Sequence, residues 1–431
     1  METIRNALNA FKLPDLRRKI LFTLAMLVVY RFAAHIPVPG VNADALRQLF
    51  ESNQLLGLLD MFSGGAMSSF SVVAMGVYPY ITASIIMQLL APLIPPLERL
   101  SKEGEAGQAK ISQYTHMLTV PMAALQAISQ ITVFSRGALP VIENFNLFSA
   151  DTFVSSFATL ITLAAGTMFA VWLGELITEQ GIGNGISIII FGGIVTQIPQ
   201  RVAQDLRTNV PGLIAFAVIG VITVAAIVFI YEGQRRIPVQ YGKRVRGTKV
   251  YGGQSTHIPM KVNSAGMIPL IFASSILILP GVVAQYFQYA DNQAVASIAQ
   301  GVVSLFDQGK IFYWVLYFIM VVGFTYFYTE TIFQQQNMPE NLQKHGGFIP
   351  GIRPGARTAQ YLNSVLRRIT LAGALFLGAV AVLPFFASTL TPMQTMIVTS
   401  TGLLIVVGVV IDTMKQLEAQ LLMRHYEGFL R

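Results

Sequence analysis

Apolar residues gather into ten windows along this chain, at roughly 20–36, 76–94, 112–134, 152–173, 185–200, 211–231, 262–281, 311–330, 368–387 and 394–413. A helix of about 20 such residues crosses the hydrocarbon core of a bilayer, so the pattern predicts ten transmembrane helices. The fifth window is the weakest, because Gly181, Gly183 and Gly185 crowd its start. One further stretch, LLDMFSGGAMSSFSVVAMG at 58–76, is apolar enough for lipid yet composed against a helical crossing. Gly, Ser, Ala and Met dominate it, and Asp60 sits near its start. A charge at a helix centre costs about 2.5–3.5 kcal/mol to insert, while each Leu or Ile returns only about 0.3–0.6 kcal/mol. Gly and Ser also lower helix propensity. Such backbone is tolerated at membrane depth where it is buried in protein or lines a cavity. Residues 58–76 are therefore read as a re-entrant segment.

The basic residues test that reading. With a cytoplasmic N-terminus, 23 of the 29 Lys and Arg fall in cytoplasmic segments, and only Arg47, Arg136, Arg201, Arg207 and Lys310 fall outside. Arg31 lies at the outer end of the first span. This is the positive-inside distribution. An eleventh span at 58–76 would flip every later loop and turn the basic ones outward. Five spans then lie on each side of a break near Pro211. An odd number per half forces opposite orientations, the geometry of inverted repeats with a pathway at their interface. No residue-level repeat accompanies the parity, so coincidence remains the alternative.

The expected organisation is a cytoplasmic amphipathic N-terminal segment (1–19) and an N-terminal half (20–200) that holds the re-entrant segment. A C-terminal half (201–413) with long cytoplasmic loops at 232–261 and 331–367 follows, then a cytoplasmic tail (414–431). The polar, basic N-terminus lacks the short apolar core and small-residue cleavage site of a secretory leader, so the first span is expected to be retained.

Composition sharpens this into a list of excluded chemistries. The 431 residues are 53% hydrophobic and 12% charged, with a mean hydropathy of +0.58, against about 25% charged in soluble domains. There is no cysteine, so no disulfide, thiolate nucleophile or Cys-ligated metal is possible. His35, His116, His257, His345 and His425 form no ligand spacing, and no HExxH, Walker A or GxSxG pattern occurs. No catalytic residue, metal site or cofactor is expected. Ion-coupled carriers place ionisable groups near the midplane. Here Glu175, Glu232, Glu330 and Asp412 fall at cytoplasmic span ends, where helix-end and snorkelling roles account for them. The glycines of GIGNG (181–185) lack GxGxxG spacing and a preceding strand, so they unwind a span or let helices pack closely.

Midspan, aliphatic side chains remain. Val77 and Ile81, and likewise Ile186 and Ile190, are i,i+4 pairs at the starts of their spans and share a helix face. Periodicity leaves two readings open, ordinary bundle or lipid contact and a hydrophobic collar that gates by dewetting. The loop at 232–261 reads as a hairpin in which Val239–Tyr241 and Lys249–Tyr251 flank a basic, Gly-containing tip. Its charge suits anionic lipid or a docking partner bearing RNA phosphates or an acidic surface. In the second loop Pro350, Gly351, Pro354 and Gly355 fix turns around Arg353 and Arg357 and make a shaped basic knob.

Five segments together resemble the bacterial SecY family, the large channel subunits of the Sec protein-conducting translocon. They are MFSGGAMSSFSVVAMGVYPYITASIIMQLL (61–90), EGEAGQAKISQYT (103–115), GTMFAVWLGELITEQGIGNGISIIIFGGI (166–194), YGGQSTHIPMKVNSAGMIPLIFASSI (251–276) and FIPGIRPGARTAQYL (348–362). They occur in family order, and the similarity covers essentially the whole chain. The resemblance implies an all-α polytopic membrane protein, an hourglass of two inverted five-helix halves with a re-entrant plug. Its narrowest point would be a pore ring of Val77, Ile81, Ile186, Ile190, Ile271 and Ile405. The plug would comprise Asp60, Met61, Phe62, Ser63, Gly64, Gly65, Ala66, Met67, Ser68, Ser69 and Phe70. The second, third, seventh and eighth spans would form a lateral gate, with Gln88 a polar group on it. Lys243, Arg244, Arg246 and Lys249 of the hairpin, with Arg353 and Arg357 of the knob, would dock the ribosome or the SecA motor.

The function so implied is a passive pore in the cytoplasmic membrane for unfolded preproteins, with signal sequences released laterally into lipid. SecE-like and SecG-like small subunits and anionic lipid are its implied partners. Two rival classes compete with this reading. A secondary transporter needs a polar midplane site, and an intramembrane enzyme needs a nucleophile–base pair or metal ligands within the spans. Neither set of residues is present in the sequence.

Overall fold

The computed structural model describes residues 13–39, 41–42, 45–46, 60, 63–135, 141, 150–208, 210–241, 244–246, 249–251, 255–288, 292–307, 309–335, 338–344, 346–390 and 395–429. In chain order the helices are α1 (Pro14–Ala33), α2 (Tyr78–Leu90), α3 (Pro95–Lys102), α4 (Glu105–Ser135), α5 (Ala150–Gln180), α6 (Gly185–Thr208) and α7 (Val210–Glu232). After four strands come α8 (Ile268–Phe287), α9 (Gln293–Leu305), α10 (Ile311–Gln335), α11 (Met338–Lys344), α12 (Ala356–Leu390) and α13 (Thr395–Phe429). Each of the ten apolar windows overlaps one of these helices. Among the described residues α5, α10 and α12 contain stretches long and apolar enough to span a bilayer by themselves. The chain is a multi-pass membrane protein.

Several boundaries differ from the sequence expectation. The first helix starts at Pro14, where a proline at N1 loses no intrahelical bond and Asp15 meets the positive end of the helix dipole. The second window is helical only over α2, which at 1.5 Å per residue is about 20 Å long. After a break at 91–94, α2 and α3 meet at 103°, because Pro95 and Pro96 open the second helix and cannot continue the first. The last helix does not stop at 413 but runs to Phe429. Leu417 on it packs with Leu16 of α1 and Ile182 of the α5–α6 turn. Helix α9 was not expected. Asn292 caps it, its Oδ1 accepting from the Ala294 N–H at 3.0 Å.

The chain forms two compact units, Met1–Gly220 with Ser274–Trp314 and Pro384–Arg431, and Val221–Ala273 with Val315–Leu383. In the first, α2 packs on α4, α4 on α5, α5 on α6, and α6 on α13, while α1 packs on both α5 and α6. In the second, strands β1 (Gln234–Tyr241) and β4 (Ser255–Lys261) pair antiparallel with Ile237 opposite Ile258. Strand β5 (Gly347–Phe348) adds to the other edge of β1, pairing with Tyr241 and Gln240. The hairpin expectation is corrected in its pairing. Val239 and Gln240 face Thr256 and Ser255, while Lys249–Tyr251 (β3) pairs with Arg244–Arg246 (β2) in a separate two-stranded ribbon. The two long loops thus fold into one body. Alternate residues Ile237 and Val239 enter its core with Met260, Leu342, Ile349, Leu362, Val365 and Leu366.

Candidate functional site

Residues 63–77 form a succession of turns and no helix, in keeping with the re-entrant reading of this stretch. The local chemistry explains the path. Gly64 and Gly65 have φ of 71° and 82°, a left-handed backbone that a side chain disfavours. The Asp60 carbonyl accepts from Gly65 N–H at 2.8 Å and from Ser63 Oγ at 3.0 Å. Ser63 Oγ in turn accepts from Met67 N–H at 3.0 Å, and Asp60 Oδ1 accepts from Ser68 N–H at 2.8 Å. Phe70, at φ 42°, is a bulky residue in the same left-handed region, a conformation that costs on the order of 1–3 kcal/mol and persists only where surroundings hold it. Here Phe70 is fully buried and packs edge-on against Phe134 with centroids 5.3 Å apart.

The segment is seated against two helices. From α1, Tyr30 donates through its hydroxyl to the Ser63 carbonyl at 2.6 Å, and Arg31 through Nη1 to the Gly64 carbonyl at 2.8 Å. Ser69 Oγ donates to the Ala34 carbonyl at 2.9 Å, and Val38 N–H to the Phe70 carbonyl at 3.0 Å. From α6, Gln197 Nε2 donates to Asp60 Oδ2 at 2.9 Å. The backbones of Gly64 and Gly193 nearly touch, and a Cβ on Gly64 would lie 3.1 Å from the Gly193 Cα. Each such bond is worth about 0.5–1.5 kcal/mol net, and more where a charge takes part. Asp60, Ser63, Ala66, Met67 and Phe70 are buried, while Ser68 is exposed. Met61 and Phe62 of the expected plug lie outside the described residues.

Of the aliphatic residues expected to line a constriction, Val77 and Ile81 follow directly on these turns. Val77 and Ile81 occupy the start of α2, where the Ile81 N–H donates to the Val77 carbonyl at 3.0 Å. Ile186 and Ile190 occupy the first turns of α6, and Ile405 lies on α13, which packs on α6. Val77, Ile81, Ile190 and Ile405 are buried and Ile186 is half-buried. Ile271, buried on α8, belongs to the second compact unit. Gln88 lies on α2, half-buried, and its Nε2 donates to Ser84 Oγ at 3.1 Å within the same helix.

Five polar side chains near these elements lie outside the sequence reading. Tyr30 and Gln197 carried no local signal, and Arg31 was read only as a helix-end charge. Tyr78, next to Val77, donates through its hydroxyl to the Ser275 carbonyl of α8 at 3.0 Å. His116 on α4 meets Glu175 on α5 at 2.5 Å, with the Tyr80 ring 5.5 Å away across α2. Glu175 is therefore partnered, and α5 runs on past it to Gln180, so the span-end expectation for Glu175 is not met.

The basic residues separate into two groups. Arg244, Arg246 and Lys249 lie on β2 and β3, and Lys243 lies outside the described residues. Arg353 and Arg357 are exposed. The knob that carries Arg353 is pinned from beneath by Ile349 and Ile352, which join the sheet core. The Arg353 carbonyl accepts from Thr358 Oγ1 at 3.0 Å, and Gly351 and Gly355 turn the chain with φ of 82° and 104°.

A family model described as SecY matches residues 71–414. The chain is 44% identical over 437 residues to the protein translocase subunit SecY of Streptomyces scabiei, covering 98% of this chain and 99% of that one. To the protein translocase subunit SecY of Mycobacterium bovis it is 42% identical over 437 residues, with the same coverage. Among solved structures, a protein-conducting channel superposes with a TM-score of 0.63 at 18% identity, over 94% of this chain and 92% of that one. Sec61 of the canine ribosome–channel complex does so at 0.62 and 19%, with the same coverage. At these identities the structural likeness establishes the fold.

Proposed function

This chain belongs to the SecY family, and from that premise we propose that it is the central subunit of a protein-conducting channel, passing unfolded secretory polypeptides across the cytoplasmic membrane and releasing apolar segments sideways into lipid. The chain is a channel subunit and not an enzyme. The single observation that carries the reading is a polar-tethered, non-helical segment that leads into α2 at Val77 and is seated against α6 at Gly193 and Gln197.

In this reading residues 60–70 are the plug. Val77, Ile81, Ile186, Ile190 and Ile405, with Ile271 carried over from the family resemblance, form the constriction. An aliphatic collar makes few polar contacts with a sliding chain, so it passes diverse sequences while excluding ions by dewetting. Helical spacing alone leaves the Ile186–Ile190 and Val77–Ile81 pairs open to ordinary bundle contact, and the family resemblance favours the collar. Helices α2, α4, α8 and α10 form the lateral gate with Gln88 on it, and the Tyr78–Ser275 bond supports a polar closure between α2 and α8. An exiting segment partitions by apolarity, a test the bilayer itself performs.

The ten spans group as two inverted halves, 20–200 and 201–413, with both termini cytoplasmic as the positive-inside distribution supports. SecE-like and SecG-like subunits complete the channel, and anionic lipid meets its basic cytoplasmic loops. Energy comes from SecA or a translating ribosome, which dock on Arg353, Arg357 and the basic ribbon. A structural neighbour, Sec61, is found in a canine ribosome–channel complex, which supports a ribosome as one such partner.

The test is import by vesicles holding the full chain with its small companion subunits. Given SecA and ATP, they are expected to protect an unfolded secretory precursor from external protease, while the same precursor locked by an internal disulfide stalls. Equal protection of folded and unfolded precursor, or none of either, would contradict a pore for unfolded chains.

A further inference from the structure

We propose that Gln197 and Arg31 are a latch that sets how readily segment 60–70 leaves its seat, with Gly193 as the close-approach point that brings the latch within reach. The inference rests on the plug reading of that segment and names what regulates it.

Asp60 lies at the centre of the device. Its carboxylate is 6% exposed and divided between two tasks. Oδ1 closes the segment on itself through Ser68 N–H, while Oδ2 accepts the Gln197 amide from α6. The first bond travels with the segment and the second breaks when the segment departs. On the opposite side Arg31 and Tyr30 bind the backbone carbonyls of Gly64 and Ser63, so α1 holds the path of the chain whatever its side chains.

Gly65 lies between the two grips. A Cβ there would sit 3.0 Å from Gln197 Nε2 and 3.2 Å from Arg31 Nη1, so the missing side chain leaves the space through which both reach in. Gly193 lies one helical turn before Gln197 on the same face of α6. Its lack of a side chain lets α6 approach the backbone of Gly64.

These features make a two-position device. Seated, the carboxylate is buried but hydrogen-bonded. Displaced into an aqueous funnel, it exchanges the Gln197 amide for water at small net cost. An apolar residue at 197 removes this donor from the seated state. It leaves a buried carboxylate short of a donor and shifts the balance toward release.

The experiment measures resting ion conductance across bilayers holding the full chain and its companion subunits, without motor or precursor. The variants are Gln197→Leu, Asp60→Ala, the two combined, and deletion of 60–70. The deletion is expected to give the largest leak. Gln197→Leu is expected to raise the wild-type leak roughly tenfold, the effect of one charge-assisted hydrogen bond, with the melting temperature of the purified complex unchanged. The double variant is expected to leak no more than Asp60→Ala alone, a non-additivity that a merely structural role for Gln197 does not give. Should Gln197→Leu not yield a stable complex, Gln197→Asn, one methylene too short to reach, replaces it. A leaking deletion with a silent residue 197 variant, or single effects that multiply in the double variant, would overturn the latch and leave the plug reading standing. A silent deletion would overturn both.

Discussion

Deletion of residues 60–70 is expected to convert a sealed resting channel into one that conducts ions continuously, while the complex still assembles. The expectation comes from which bonds the deletion removes and which it spares. It removes the tethers from Tyr30, Arg31, Ser69 and Gln197 and the packing of Phe70 on Phe134. It spares the bridge between Pro37 and Ser71 and the bond from Val72 N–H to the Ile36 carbonyl at 2.9 Å, which hold the chain leading into α2. Single-channel recording on planar bilayers reads the effect, with the protease pattern of the complex reporting assembly. Unchanged conductance in an assembled complex would remove the plug assignment, because the aliphatic residues alone would then be the seal.

Arg353→Glu is expected to abolish most SecA-driven export, by tenfold or more if one charge-assisted contact is lost and a repulsion put in its place. The fold should survive the change. Arg353 is exposed, its side chain lies outside the sheet core, and the knob is held by Ile349, Ile352 and a bond to the backbone carbonyl at position 353, none of which a Glu side chain disturbs. Precursor protection measured at matched channel levels is the readout. Normal export would remove Arg353 from the docking surface. Export lost together with channel abundance would assign Arg353 a folding role instead.

The sequence reading and the structure agree where physics is local and part where it is not. The turns at 63–77 were legible because Gly, Ser and a buried carboxylate all oppose a helical crossing, and neighbours in sequence suffice to say so. The Asp60–Gln197 bond joins residues 137 apart, and nothing near either one announces the other. Strand β5 is two residues long, too short for alternation to register, so the merging of two loops into one sheet could not be read. The mispaired hairpin is different. Arg-Val-Arg and Lys-Val-Tyr at 244–246 and 249–251 are separated by Gly247 and Thr248, a two-residue Gly-X connection that signals a local hairpin. That signal is present in the sequence, and pairing Val239–Tyr241 with Lys249–Tyr251 passes over it. Tyr78 was visible only as part of a motif, since its bond to Ser275 depends on the packing of α8.

The central claim is that an unfolded polypeptide passes between the aliphatic residues at the starts of α2 and α6. The most direct measurement places a photo-crosslinking amino acid at position 81 or 190, and separately at the exposed Phe229 of α7. A secretory precursor is then stalled during SecA-driven transport and illuminated. The account predicts adducts from positions 81 and 190 along the hydrophilic part of the stalled chain and none from position 229. Adducts from 229, or silence at 81 and 190 while the precursor is protected, would contradict it.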